Sequence, residues 1–102
     1  MIRHIVLTKF KPETSEETIS GIYSGLSSVA DRLDGAQNFA GGRSESPEQI
    51  ERGYMHGFTI DFDDWDALQA YADDEEHKGY GGQIVANAQG GIDGVLVLDV
   101  AF

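Results

Sequence analysis

A strict alternation of apolar and other residues marks the middle of the chain as a β-strand. The positions that share one side of this run are Tyr54, His56, Phe58, Ile60 and Phe62. Side chains of a strand point alternately to its two faces, so the pattern predicts that this side is buried. His56 lies among aromatic residues there, and its imidazole is expected to face the core.

The two ends of the chain carry a different pattern, with large apolar residues on both faces. Residues 1–10 are rich in β-branched and apolar side chains, end before Pro12, and place His4 on the same face as Val6. Residues 95–102 form a second run of this kind. Both segments are predicted strands, and neither has a polar face that would suit solvent.

Two segments have the spacing of amphipathic helices. The first is predicted from about Ser15 to Leu33, after a capping-box pair formed by Thr14 and Glu17. The second opens with aspartates whose charges suit a helix N-terminus, and it is predicted to end before His77. Apolar residues on one side of this second helix are Trp65, Leu68, Tyr71 and Ala72.

The remaining segments complete a simple order of elements. Residues 36–43 are predicted as a glycine-punctuated strand, residues 41–53 as a surface hairpin connection, and residues 83–88 as a short helix. The order strand, helix, strand, strand, helix, strand predicts one α+β domain over residues 1–102, with a ferredoxin-like βαββαβ fold and an antiparallel four-stranded sheet. Because the first and last strands are apolar on both faces, a second copy of the chain is expected to cover the sheet in a homodimer.

Composition and charge exclude several partners and chemistries. The 102 residues include 18 acidic and 7 basic side chains, and the net charge of −11 repels nucleic acid and anionic membrane surfaces. No apolar run is long enough to span a membrane and no export signal is visible at Met1, so a cytoplasmic location is expected. Without cysteine, disulfides, thiolate metal sites and cysteine nucleophiles are excluded.

Tyr71 and His77 are the main candidates for chemistry, because they place a phenol and an imidazole at the end of the second helix. A neutral imidazole could remove a proton while the phenol stabilises the developing oxygen charge. The competing interpretation has His77 capping the helix C-terminus and Tyr71 packed in the core. The acidic residues 73–76 are expected to raise the pKa of His77, which disfavours a base, and otherwise form a solvated face rather than a metal site.

The other two histidines allow two interpretations. His4 and His56 each share a strand face with large apolar residues. They could converge with Tyr71 and His77 around a pocket for a small organic molecule, between the sheet and the helices. Equally, they could be hydrogen-bonded core residues.

Taken together, four segments resemble the stress-responsive dimeric α/β barrel (Dabb) family along nearly the whole chain. They are Ile2-Arg-His4-Ile-Val-Leu with Lys9-Phe10-Lys11, Gly53-Tyr54-Met-His56, Tyr71 through His77-Lys-Gly-Tyr80, and Val97-Leu98-Asp99-Val100. The resemblance implies a ferredoxin-like subunit whose sheet packs against that of a partner, with the helices outside. The family commonly has a proline two residues before the motif histidine, where this chain has Glu75.

The resemblance also implies roles for individual residues. One plant member of the family, a polyketide cyclase, works without a metal or organic cofactor and uses a histidine as base and a tyrosine to hold the substrate. These residues match His77 and Tyr71. Further cavity-lining residues of that enzyme match His4, His56 and Tyr23, which are therefore expected to bind the ligand. The expected function is binding of a small molecule, and the alternative is a cofactor-independent cyclase or lyase.

Overall fold

The structure, a computed structural model, describes residues 1–102. Its elements in chain order are β1 (Ile2–Thr8), α1 (Glu16–Arg32), β2 (Ala36–Arg43), β3 (His56–Phe62), α2 (Trp65–Asp73), α3 (Glu75–Asn87), a 3-10 turn (Gly91–Gly94) and β4 (Val95–Ala101). None of the helices combines the length and apolar content that crossing a bilayer requires.

The four strands form one antiparallel sheet in the order β2, β3, β1, β4. This confirms the predicted ferredoxin-like arrangement, in which the first strand lies between the third and the fourth. The register places His4 opposite Ile60 on one side and opposite Asp99 on the other. Residues directly opposite in such a ladder point to the same face, so Asp99 lies on the same face as His4.

The helices cover one face of the sheet and enclose the core there. Ile60, Phe62 and Tyr71 are almost completely buried. His56 is buried on the same face, as the alternation over residues 54–63 predicts. Trp65 differs from its prediction, because more than half of its surface is exposed. It is the first residue of α2, and an apolar residue there can point past the edge of the core.

The first helix begins and ends close to the predicted residues, but its N-cap is different. Ser15, not Thr14, is the N-cap, and its hydroxyl accepts a hydrogen bond from the backbone N–H of Thr18 at 3.1 Å. Gly35 follows the helix with a φ of 82°, a conformation that favours glycine. The chain then enters β2, which has the predicted bounds.

The second predicted helix ends before His77 as expected, at Asp73, and α3 begins directly after Asp74. The backbone N–H of Asp74 donates to the carbonyl of Tyr71, which ends α2, and its carboxylate accepts from the backbone N–H of His77, which begins α3. The short helix predicted around residues 83–88 is the second half of this 13-residue α3. His77 therefore lies in the first turn of α3, while its ring lies against the carbonyl of Ala72 in the last turn of α2.

The outer face of the sheet, which lies away from the helices, exposes a continuous apolar surface. Cross-strand pairs Ile5–Leu98 and Leu7–Leu96 form its centre. Leu96 is 44% exposed, Leu98 55% and Val100 48%. Contiguous exposed apolar surface of this kind is typical of interaction sites.

Candidate functional site

A mainly apolar cavity of about 340 Å³ lies between the sheet and α2 and α3, and we call it the His77 cavity. Three of its twelve lining residues are the titratable side chains His4, Tyr71 and His77. The others are Val6, Leu26, Phe58, Gly81, Ile84, Val85, Ile92, Val95 and Val97. Ile92 and Val97 are more than half exposed, so apolar side chains also reach the surface beside the cavity.

The chain brings Tyr71 and His77 together by changing direction between α2 and α3. Their ring centroids are 4.1 Å apart with an interplanar angle of 39°. The ring of His4, from β1, is 5.6 Å from that of Tyr71. The predicted grouping of these three side chains is therefore present in the structure.

His77 has the protonation behaviour of a neutral imidazole rather than of a cation. Burial lowers its pKa below the ordinary value, with smaller contributions in the same direction from His4 and Lys78, and it outweighs the carbonyl of Ala72 and the carboxylate of Asp74. The position in the first turn of α3 also disfavours a positive charge. The expectation that neighbouring acids raise this pKa is wrong, because burial is the larger effect.

Tyr71 is held as a neutral phenol. Burial, with a smaller contribution from Asp74, raises the pKa of Tyr71 above its ordinary value. Its hydroxyl is thus a hydrogen-bond donor at every physiological pH, which is the form that stabilises an oxygen with developing negative charge.

Two polar atoms at the cavity have no hydrogen-bond partner within the chain. Four buried side-chain polar atoms in the whole structure lack a hydrogen-bond partner, and two of them are the Tyr71 hydroxyl and His77 Nδ1. An unpaired buried polar group costs about 1–3 kcal/mol, so such atoms are uncommon and call for an explanation. A bound molecule with complementary polar groups would supply the missing partners.

His4 is fixed by a residue that the sequence analysis did not select. Its Nδ1 lies 2.6 Å from the Asp99 carboxylate on the neighbouring strand. The Asp99 carboxylate accepts the proton on His4 Nδ1 and so fixes the orientation of the ring. Asp99 interrupts an apolar strand, but its pairing with His4 depends on the register between β1 and β4, which periodicity does not specify.

His56 and Tyr23 lie elsewhere, and the expectation of one pocket that includes His56 is not met. Both line a separate groove of about 310 Å³ between α1 and β2. His56 Nε2 lies 2.9 Å from a carboxylate oxygen of Glu16, and its ring packs against Phe10. Helix α1 and the centre of the sheet separate this groove from the His77 cavity, so two polar sites replace the single predicted one.

The donor atoms in the structure do not assemble a metal centre. No group of three or more His, Cys, Asp or Glu side chains is placed to hold an ion. A larger depression, of about 690 Å³, lies on the outer face beside Leu7 and Leu96. Only five of its thirteen lining residues are hydrophobic, and the others include the charged or titratable side chains Arg43, Glu51, Arg52, Tyr54 and His56.

Comparison with known proteins gives a consistent result along the chain. Residues 2–101 match the model of the Stress responsive A/B Barrel Domain family. The stress-response A/B barrel domain-containing proteins HS1 and At5g22580 of Arabidopsis thaliana are each 26% identical over 98 residues. These matches cover 96% and 95% of this chain, and 86% and 82% of the two plant proteins.

Solved structures with the same fold include both uncharacterised proteins and an enzyme. A dimeric ferredoxin-like protein of unknown function from Jannaschia sp. CCS1 is 33% identical with a TM-score of 0.92, over 99% of this chain and 98% of that one. The hydroxynitrile lyase of Passiflora edulis is 16% identical with a TM-score of 0.84, over 99% of this chain and 92% of the lyase. At that identity the similarity shows the fold alone.

Proposed function

The chain belongs to the stress-responsive A/B barrel domain family, and from this membership and the site geometry we propose that it is a homodimer that binds a small organic molecule in the His77 cavity. The cytoplasmic location predicted from the sequence is part of the same proposal. The observation that carries it is the convergence of His4, Tyr71 and His77 on an apolar cavity, with two unpaired polar atoms.

The shape and polarity of the cavity favour a ligand with one polar end. Nine of the twelve lining residues are hydrophobic, so most of the ligand surface would contact apolar side chains. The Tyr71 hydroxyl would donate to a carbonyl or phenolic oxygen, and the neutral His77 would accept from a hydroxyl or an acidic C–H group. Simple β-diketones and phenols carry these groups and are suitable probes.

The homodimer is supported by the outer face and by the related structures. Ile5, Leu7, Leu96 and Leu98 form an apolar surface that a second sheet would cover. The similar Jannaschia protein is described as dimeric. Face-to-face packing through this surface would leave both His77 cavities on the helix sides of the dimer, where a ligand can enter.

Thermal shift with the β-diketone and phenol probes tests the binding proposal. Tyr71→Phe removes only the hydroxyl, and is expected to abolish most of the ligand-induced increase in Tm while leaving the unliganded Tm equal or higher, since an unpaired buried polar atom is lost. Tyr23→Phe is the matched control, because it removes another unpaired buried hydroxyl outside the cavity. Loss of the ligand effect in Tyr23→Phe alone would instead place the ligand in the groove with His56, as the sequence resemblance implies for those two residues.

The second candidate function is a cofactor-independent cyclase or lyase. The specific observation in its favour is the proximity of the neutral His77 imidazole to the protonated Tyr71 phenol, whose ring centroids are 4.1 Å apart. His77 would remove a proton from a carbon next to a carbonyl, and Tyr71 would donate a hydrogen bond to the enolate oxygen. The hydroxynitrile lyase of Passiflora edulis has the same fold, so this fold occurs in at least one lyase.

Proton exchange on a β-diketone separates this enzyme from a binding protein. In D₂O, NMR would follow deuterium entering the carbon between the carbonyls, and the protein is expected to accelerate this exchange. His77→Gln should abolish the acceleration, and Tyr71→Phe should reduce it by about 100-fold, as for removal of one oxyanion donor. If a probe binds the cavity but its deuterium exchange is no faster than without protein, catalysis is contradicted and the binding proposal is left intact.

A further inference from the structure

The acidic run between the two site residues is attached to the first helix through one arginine. Arg32, in the last turn of α1, directs Nη2 to both carboxylate oxygens of Asp74, at 2.8 and 2.9 Å, and to Glu76 at 3.0 Å. In the family that this chain resembles, a proline is common within this run. The resemblance therefore predicts no function for the acidic residues of this chain. Here the acids bind α1 to the junction between α2 and α3.

Asp74 connects this ion pair directly to His77. The carboxylate that Arg32 binds also accepts the backbone N–H of His77 at 3.0 Å. The Arg32 guanidinium, followed by the His77 N–H, holds the pKa of Asp74 below its ordinary value, so this cap is ionised near neutral pH. An ionised carboxylate so close to the imidazole would favour a protonated His77 unless its charge were neutralised.

We propose that Arg32 is a positioning residue for His77, which fixes the Asp74 cap and neutralises its charge so that the imidazole stays neutral against Tyr71. The inference rests on the proposed function in taking His77 as the working group of the cavity. It adds a residue on a different helix, outside the cavity wall, that controls that group through Asp74.

The other charged and titratable groups around His77 come from each neighbouring element. Strand β1 contributes His4, which is paired with Asp99 of β4 and opposes protonation of His77. Helix α2 contributes the Tyr71 phenol, and α3 contributes Lys78, which also opposes protonation. Asp74 is the neighbouring group whose charge favours protonation. Removing the cation that Asp74 binds should therefore raise the pKa of His77.

An NMR pH titration of the His77 ring in the unliganded full chain tests the proposal. Arg32→Gln is expected to raise the pKa of His77, and Asp74→Asn is expected to lower it, because the asparagine oxygen still caps α3 without a charge. Arg43→Gln is the matched control: it removes a surface arginine that is also paired with a carboxylate, Glu16, and changes the net charge equally. Its effect on the pKa of His77 should be several times smaller.

The opposite directions distinguish the proposal from a merely structural role. If Arg32 and Asp74 only stiffened the junction, both variants would expose the ring and both would raise the pKa of His77. Equal shifts in Arg32→Gln and Arg43→Gln, or shifts of the same sign in Arg32→Gln and Asp74→Asn, would overturn it. If Arg32→Gln does not fold, Asp74→Asn alone carries the test, and an unchanged or raised pKa of His77 in that variant would overturn the proposal. Arg32→Lys keeps a cation beside Asp74, so its His77 titration is expected to stay near that of the natural chain.

Failure of this proposal and failure of the proposed function give different results. The titration needs no ligand, so it reports on Arg32 even when no probe binds the cavity. Conversely, a probe that binds the natural chain and loses affinity in Tyr71→Phe supports the function whatever the titration shows.

Discussion

At the scale of single residues, the His77 cavity retains polar atoms that folding alone leaves unsatisfied. The Tyr71 hydroxyl and His77 Nδ1 each lack a partner, although the nearby His4 imidazole is paired with Asp99. Selection for stability alone would favour phenylalanine at residue 71, since it fills the same space without the cost of an unpaired hydroxyl. The phenol is consistent with the proposed binding of a small molecule, which would supply the missing partner.

The burial of His77 leads to a prediction for stability at low pH. Its pKa is lower in the folded chain than in the unfolded chain, so the unfolded chain takes up a proton first as the pH falls. This contribution leaves stability unchanged at neutral pH and reduces it as the pH drops through about 6.5, the ordinary histidine value, towards the folded pKa. Urea denaturation of His77→Gln from pH 7 to 5 should show a smaller loss of stability than the natural chain. Parallel curves would contradict the prediction.

The sequence predicted which residues meet at the cavity better than it predicted the protonation state of His77. Of the four residues expected around one pocket, His4, Tyr71 and His77 converge and His56 does not. The direction of the His77 pKa was wrong, because it depends on burial and on which end of a helix the ring occupies. The periodicity of apolar residues along the chain indicates neither the burial of the His77 ring nor the helix end at which it lies.

At the scale of elements, the strands and the end of α2 before His77 were predictable, and the start of α3 directly after Asp74 was not. Alternating apolar positions specified β3, and two-sided apolar runs specified β1 and β4. The start of α3 depends on Asp74, whose carboxylate is held by Arg32 from a helix more than forty residues earlier in the chain. A local pattern does not show such a partner, so the acids appeared to be a solvated face.

The contact between α1 and α3 leads to a prediction with two glycines of the same helix. Tyr80 of α3 packs against Gly25, where an added methyl group would overlap its ring, whereas Gly21 has open space around it. Gly21→Ala should stabilise the chain by up to about 1 kcal/mol through helix propensity. Gly25→Ala should destabilise it by about 1–3 kcal/mol, because the overlap exceeds that gain.

Chemical denaturation of the two alanine variants measures the difference. They share the substitution, the helix and the change in propensity, so the contact with Tyr80 is what separates them. Equal stabilisation of both would show that the Tyr80 ring moves aside at no cost and that α3 is loosely held.

At the scale of the whole molecule, the sheet separates two surfaces of different character. Its inner face carries His4 and the cavity, and its outer face carries the apolar surface around Leu7 and Leu98. The chain has a net charge of −11, so two copies repel each other and association must come from apolar burial. Moderate salt is therefore expected to strengthen the proposed dimer by screening that repulsion.

Two adjacent residues of β4 test the separation of the faces. Leu98 is 55% exposed on the outer face, and Val97 is 53% exposed beside the cavity. Leu98→Glu should convert the dimer to monomers, because it places a charge in the apolar interface. Val97→Glu should remain dimeric and lose ligand binding. Sedimentation velocity at micromolar concentration measures the first property and thermal shift the second.

If Val97→Glu became monomeric and Leu98→Glu lost ligand binding instead, the assignment of the interface to the outer face and of the cavity to the inner face would be contradicted. A stable monomer formed by the natural chain would contradict the homodimer itself. In that case the outer face would need another cover, and the cavity on the opposite side would be unaffected.

The alternation of faces along β1 and β4 also bears on how copies of such a gene can diverge. In the proposed dimer, odd and even positions of one strand would change under separate constraints, since one set would meet a neighbouring subunit and the other the cavity. Two duplicated genes could keep the outer positions and vary the inner ones. Their products would still pair, and the mixed dimer would then offer two chambers of different selectivity within one particle.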